Sequence, residues 1–454
     1  MTMNITIPAA RGGAGLPPTV GNPVQSTRAF QRDPLGFTLA MTKAHGDIWQ
    51  FRLGPTRTIT LNHPCFIKRV LQENHPNYEK SSPACALTQK LFGLSVTTTN
   101  GRVWLRKRRL VQPAFHRRHI AALADTITDT VVERVERWRH EGAIDVTAEM
   151  NDLVVTVFFR ALFGRDIDDH HSDVLARFLR AAQVVTAQLA AHLRFPFIPL
   201  SVPTPGHRWL HRNLRVMYDA ALQLIQHYRH SGGDQEDIMS ILVEAADDEG
   251  DQLGDAELRD EVVSLLFAGA DTTKNLLLWT LYLVARHPEV ADRLCVEIDT
   301  TVTGDRVTYE NTLELTYLRA VIDESLRMYP PAWQEFRNTI DDDEIGGYRI
   351  PKGTQIFFTP FTVHRHPDFW PDPETFDPDR HLPGTTIDRS ALIPFGIGPR
   401  TCIGNHFALI GAQLAIAEIM RRYRLALTDT VPVRPQPLVT LEADRPIVMR
   451  VTPR

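Results

Sequence analysis

The chain has 454 residues, 43% of them hydrophobic, with 50 lysines and arginines against 54 aspartates and glutamates and a net charge of −4. That apolar content suffices for a large buried core, and the near balance of charge gives no global field that would draw the protein to nucleic acid. Its four cysteines (Cys65, Cys85, Cys295, Cys402) are scattered without a C-x-x-C pair, which argues against a disulfide framework or a closed zinc site and for a reducing cytoplasm.

The N-terminal MTMNITIPAARGGAGLPPTVGNP lacks the basic start and apolar centre of a signal peptide. No run approaches the roughly 20 apolar residues of a membrane span. Residues 1–28 are rich in Gly and Pro and read as an arm on the surface; residues 29–454 show no linker and read as one domain. HGDIWQFRLGPTRTITLNHP alternates β-branched and aromatic residues around Gly54-Pro55, a hairpin signal. From Trp104 to Tyr423 helical periodicity dominates, broken by the apolar, Pro-cut loop RFPFIPLSVPTPG at 194–206 and by a stretch at 346–384 with short strands and a Pro- and Asp-rich meander. A helix with Asp255 as N-cap is predicted to run for about thirty residues through AGADTT. The composition of elements is mainly α with a small β region.

Several short patterns carry chemistry. In PFGIGPRTCIGNHFA (394–408) one cysteine sits among glycines and an arginine, at the head of a predicted helix. Gly396, Gly398 and Gly404 permit tight turns and close approach of the backbone to a flat ligand, and the positive end of the helix favours a thiolate. Arg400 offers a cation for a carboxylate. His406 invites a zinc reading, but no second ligand pair accompanies it, and no partnered His and polar helper designate a catalytic cysteine. In AGADTT, Ala268, Gly269 and Ala270 remove bulk from one place on the helix, and the Thr272 hydroxyl can bond the carbonyl of Ala268. In DESLRMYPP, Glu324 and Arg327 lie three apart on one helical face, as do Trp104 and Arg108, four apart, in WLRKR.

Phe395 to Gly404, as F-G-x-G-x-R-x-C-x-G, resembles the haem-ligand loop of the cytochrome P450 family. AGADTT, E-x-x-R and W-x-x-x-R match the family's other motifs in the family's order, and the resemblance runs from about Asp33 to the C-terminus. It implies the cytochrome P450 fold: a triangular, mainly α prism with haem between the long central helix and the helix after the cysteine loop. It further implies haem b as cofactor, Cys402 as the axial iron ligand whose thiolate favours O–O cleavage, and Arg400, Trp104, Arg108, Arg337 and Phe395 as haem-binding residues. Asp271 and Thr272 would be the proton-relay pair, and Glu324, Arg327 and Arg380 a buried structural network that holds the cysteine loop. Two places depart from the pattern: Gly411 stands where relatives often carry Glu, and Lys274 follows the threonine pair.

The activity implied is a monooxygenase that inserts one oxygen atom of O2 into a lipophilic terpenoid, fatty acyl or steroid-like molecule. No flavin, nicotinamide or iron-sulfur motif is present, so electrons from NAD(P)H would arrive through a separate ferredoxin or flavodoxin and its reductase. The basic stretch RKRRLVQPAFHRRH (106–119) is either a solvated helix face or a dock for that acidic partner. By resemblance, substrate would touch the loop 91–99, the segment 195–205 with Phe197, and Leu265, Ala268, Trp333, Gln334 and Val439. A cytoplasmic monomer is expected. Two other readings stand beside this one: a haem-thiolate isomerase, dehydratase or peroxide-dependent enzyme, and a non-catalytic haem sensor.

Overall fold

The computed structural model describes residues 15–140, 142–164, 167–194, 202, 204–231, 237–247, 250–385 and 387–454. They form two compact units that interleave along the chain, one of residues up to Leu87 with Leu326–Asp377 and Gly384–Cys402, the other of Thr88–Ser325, Pro378–Pro383 and Ile403–Arg454.

The first unit is built on a five-stranded sheet. Its hairpin, Ile48–Leu53 and Thr56–Leu61, turns at Gly54-Pro55 as the alternation predicts, with Ile48 opposite Leu61 and Leu53 opposite Thr56. Thr56–Leu61 pairs in parallel with Gln355–Phe358, which pairs antiparallel with Glu335–Thr339, and Tyr78–Glu79 completes the edge. One face buries Ile59, Leu61, Ile67, Ile356 and Phe358; the other buries Trp49, Phe51, Phe30 and Phe357. The helix Pro23–Arg32 begins inside the stretch that composition marked as an arm, because Asn22 accepts the N–H groups of Val24 and Gln25 at 3.1 and 2.9 Å and Pro23 presets the first turn.

The second unit is mainly helical. The long helix Asp255–Arg286 packs against Val146–Phe163 and Pro205–Ser231 and also meets Asn405–Arg422. Its start differs by one residue from expectation: Gly254 is the N-cap, and Asp255 and Glu257 lie in the first turn, where their charge favours the helix dipole without a side-chain cap. Leu276 to Val284 is buried on every side, as a helix apolar all round must be. A three-stranded antiparallel sheet (Ala143–Asp145, Val448–Pro453, Tyr423–Leu427) and the pair Pro435–Pro437 and Leu441–Ala443 complete the unit.

Candidate active site

The candidate residues divide between the two units. In the first, the cysteine loop is a string of tight turns. The Gly396 N–H donates to Ile393 O at 3.1 Å, Thr401 donates through its N–H and hydroxyl to Gly398 O, and the Cys402 N–H closes back on Phe395 O at 2.9 Å. Gly398 has φ 77°, and a Cβ there would lie 2.1 Å from the carbonyl oxygen of Leu71, so no other residue fits. Gly404 needs no such freedom; it caps the following helix at φ −90°. Of the four cysteines Cys402 alone is exposed. Burial pushes the Cys65 thiol up to about 11 and raises that of Cys295, which leaves both poorly ionised as ligands.

Behind the loop stands a buried imidazole that the motifs do not announce. His364 is fully buried, its Nε2 accepts the Ile393 N–H at 2.9 Å, and its Nδ1 therefore donates to Arg327 O at 3.1 Å. The Arg327 guanidinium, 0% exposed, donates to the carbonyls of His364, Pro373 and Thr375 at 3.0, 2.8 and 3.2 Å. Arg327 thus ties the meander to the end of its helix, and the meander's His364 in turn fixes the root of the cysteine loop.

Arg337 lies on the strand Glu335–Thr339, 4% exposed, and donates to Glu335 at 2.6 Å. Lys80 and Arg400 are within electrostatic reach of the same carboxylate. Burial pushes the Glu335 carboxyl up, but Arg337, Lys80 and Arg400 together outweigh it and hold it below the usual range. Burial also lowers the Lys80 ammonium, and Arg337 and Arg400 add to that. Three cations share one carboxylate, a surplus of two positive charges that matches the two propionates of a haem. The cysteine-loop motif singled out Arg400 and the resemblance Arg337; Lys80 has no local signal. Trp333 is buried at 3% exposure, and Gln334 is half-buried.

In the second unit, Ala268 is exposed on a helix whose preceding residues Leu265 and Leu266 are buried, and Thr272 sits one turn further on the same side. The Thr272 hydroxyl donates to Ala268 O at 2.8 Å. A small exposed residue one turn past buried Leu265 leaves room for a ligand against this part of the helix. Asp271 pairs with Lys274, and the Thr440 hydroxyl donates to its other oxygen. Lys274, which stood outside the family pattern, thereby has a role. Thr440 adjoins Val439, half-buried in the turn between Pro437 and Leu441.

Glu324 is 0% exposed and takes the ring of His381 at 2.8 Å and the guanidinium of Arg380 at 3.5 Å. His381, next to Arg380, was invisible to spacing. Trp104 and Arg108 are both half-buried on the helix Gly101–Val111, and Arg108 donates to Gln112 at 3.1 Å. The basic stretch they begin is not one continuous face. Lys107 is buried on Glu261 at 3.1 Å and Arg106 is paired with Asp247 and Glu257, so neither is available to a partner; Arg109, Arg117 and Arg118 are exposed. Phe197 lies outside the described residues.

The cytochrome P450 family model matches residues 12–448. The chain belongs to the cytochrome P450 family. It is 33% identical over 445 residues to a pentalenene oxygenase of Streptomyces avermitilis, covering 97% of this chain and 96% of that one. It is 36% identical over 419 residues to a cyclooctat-9-en-7-ol 5-monooxygenase of Streptomyces melanosporofaciens, covering 91% and 88%. A cyanobacterial CYP120A1 solved with retinoic acid bound shares the fold at a TM-score of 0.87 and 22% identity, over 98% of this chain and all of that one. The P450 is therefore a monooxygenase that uses haem b and O2, takes electrons from separate redox partners and acts on lipophilic substrates. No helix among its described residues is long and apolar enough to cross a membrane.

Proposed function

We propose that this P450 oxygenates a cyclic terpenoid, with Cys402 as the residue that would ligate the haem iron and Asp271 and Thr272 as the groups that would hold and move protons in the site. The observation that carries the substrate class is the end-to-end match, at 33% and 36% identity, to two bacterial enzymes whose names specify terpenoid oxidation. Haem b, when bound, supplies the reductive activation of O2 and the transfer of one oxygen atom to a C–H or C=C bond. The chain's own part is to hold and aim. Arg400, Arg337 and Lys80 would neutralise the propionates, Trp104 and Arg108 would offer a further donor set, and Phe395 closes the loop that carries Cys402. Thr272 keeps its hydroxyl on Ala268 O, Asp271 is the preceding residue on the same helix, and the two are the proposed pair for proton delivery. Ala268, Leu265, Gln334, Trp333 and Val439 are the proposed substrate lining, and their mainly apolar character suits a hydrocarbon ring system.

The electron donor in this reading is an acidic ferredoxin that docks on Arg109, Arg117 and Arg118, and the enzyme works as a cytoplasmic monomer. The deciding experiment compares the absorption spectrum of the dithionite-reduced protein under carbon monoxide for wild type and Cys402→Ser. A strongly red-shifted Soret band present in wild type and lost in the variant supports thiolate ligation by Cys402; an unchanged band removes that residue from the role. Titration of cyclic terpenes into the ferric protein, followed by a shift of the same band, then tests the substrate class.

A further inference from the structure

Between the helices Pro83–Phe92 and Gly101–Val111 the chain runs through residues 93–99; the Thr98 and Thr99 side chains close that loop on itself, while two of its backbone N–H groups and two of its hydroxyls reach one stretch of the long helix. The Leu94 N–H donates to Asp260 Oδ2 at 2.8 Å, and the Val96 N–H is shared by both oxygens of Glu261 at 3.1 and 3.0 Å. The Ser95 and Thr97 hydroxyls meet Ser264 Oγ at 2.9 and 2.5 Å. Gly93 has φ 70°, and a Cβ there would lie 2.1 Å from the Asp260 carboxylate, so the loop can approach this closely only without a side chain at that position. Glu261 and Lys107 are 0% and 1% exposed, and their 3.1 Å contact ties the same carboxylate to the helix that follows the loop.

A buried ion pair contributes little net stability against an apolar pair of equal volume, so stability does not account for it. What it does is geometric: one carboxylate fixes a backbone N–H of the loop and the next helix to a point one turn before Leu265 and two turns before Ala268. We infer that Glu261 is a positioning residue, held in place by Lys107, that sets the position of loop 93–99 and through it which substrates this P450 accepts. The inference rests on the proposed terpenoid reading for the identity of those substrates, and on geometry alone for the fixing of the loop.

Two variants and two readouts test it. Glu261→Gln keeps an acceptor for Val96 but loses the charge on Lys107. Glu261→Leu combined with Lys107→Met removes both charges at nearly constant volume, so no ammonium is stranded in the interior, and it deletes the acceptor. Amide hydrogen exchange of the haem-loaded protein is expected to be about tenfold faster across 93–99 in the double variant, with Glu261→Gln between it and wild type and the centre of the long helix unchanged. Soret titrations with a cyclic sesquiterpene hydrocarbon and a cyclic diterpene alcohol are expected to show their affinity ratio changed by at least about threefold in the double variant. Unchanged exchange across 93–99 overturns the fixing of the loop. Faster exchange with an unchanged affinity ratio overturns its role in selection. If wild type binds neither compound, the terpenoid reading falls, and the exchange data still decide whether Glu261 holds the loop.

Discussion

The ammonium of Lys274 rests on the carboxylate of Asp271, three residues back along the same helix. The other carboxylate oxygen takes the hydroxyl of Thr440, which itself accepts from Asn275 Nδ2 at 2.9 Å. Asp271 is therefore held from two sides as an acceptor, and in the proposed relay it can take up and pass on a proton only as one of those contacts relaxes. Asp271→Asn preserves shape and removes the acid; turnover is expected to fall about a hundredfold with little change in substrate affinity. Lys274→Met frees the carboxylate and is expected to alter turnover by less, while changing the fraction of NAD(P)H lost to peroxide. Product formed per NAD(P)H consumed, measured beside single-turnover rates, separates the two effects. Wild-type turnover in Asp271→Asn removes the residue from proton delivery.

The cluster of Lys80, Arg337 and Arg400 about Glu335 predicts that retention of haem is a matter of charge count. Lys80→Met leaves one surplus positive charge in place of two, and Arg400→Leu does the same. Each is expected to speed loss of haem to an apo-globin acceptor by about tenfold, the worth of one charge-assisted bond in a partly buried site. Glu335→Gln works in the opposite sense: it raises the surplus to three and is expected to leave haem loss no faster. If Lys80→Met releases haem at the wild-type rate, Lys80 is no part of the propionate site.

The parts of this molecule that could be read in its sequence are those whose physics is local. A Gly-Pro between alternating runs makes the hairpin at Gly54-Pro55, an unbroken apolar pattern makes the helix Asp255–Arg286, and only glycine lets the backbone at 398 touch Leu71 O. Arg400 and Asp271 were singled out by spaced motifs and Arg337 by the resemblance to relatives. Their partners were not, because those come from far along the chain: Lys80 precedes Arg400 by most of the sequence, Thr440 reaches back to Asp271, and His364 meets Ile393 through a turn of the meander. Each is a common residue type in an unremarkable context, and only the folded chain assigns it. The basic stretch 106–119 divides for the same reason: Lys107 finds its acid, Glu261, 154 residues away, while Arg109, Arg117 and Arg118 stay exposed.

His364 gives a prediction about acid. Burial and the nearby Arg327 push its pKa down to about 3 from 6.5, so it stays neutral in the fold. In the unfolded chain it takes a proton near 6.5, and between about 3 and 6.5 the unfolded state binds more protons. Its contribution to stability is complete above 6.5 and is lost as the pH falls through that window. His364→Leu also leaves the Ile393 N–H and the Arg327 carbonyl without this partner and is expected to cost about 3 kcal/mol at pH 8. Urea melts at pH 8 and pH 5 check both points: the variant is less stable at each, and its loss between the two is smaller than in wild type.

Glu261 gives the slope of opposite sign. Burial raises its carboxyl from 4.5 to about 7 against the pull of Lys107 and of the Val96 N–H. Here the folded state binds more protons between about 4.5 and 7, so the contribution is complete below 4.5 and is lost as the pH rises through 7. Over the shared range from 4.5 to 6.5 the His364 and Glu261 effects work against each other, and the wild-type profile hides both. Single variants uncover them: Glu261→Gln is expected to make stability climb more steeply with pH across that range, and His364→Leu to make it climb less or fall. Melts at half-unit steps from pH 4.5 to 7.5 decide the matter. Parallel profiles for wild type and Glu261→Gln would mean that Glu261 does not titrate in the folded protein within that window, and the ion pair with Lys107 would then hold loop 93–99 unchanged throughout.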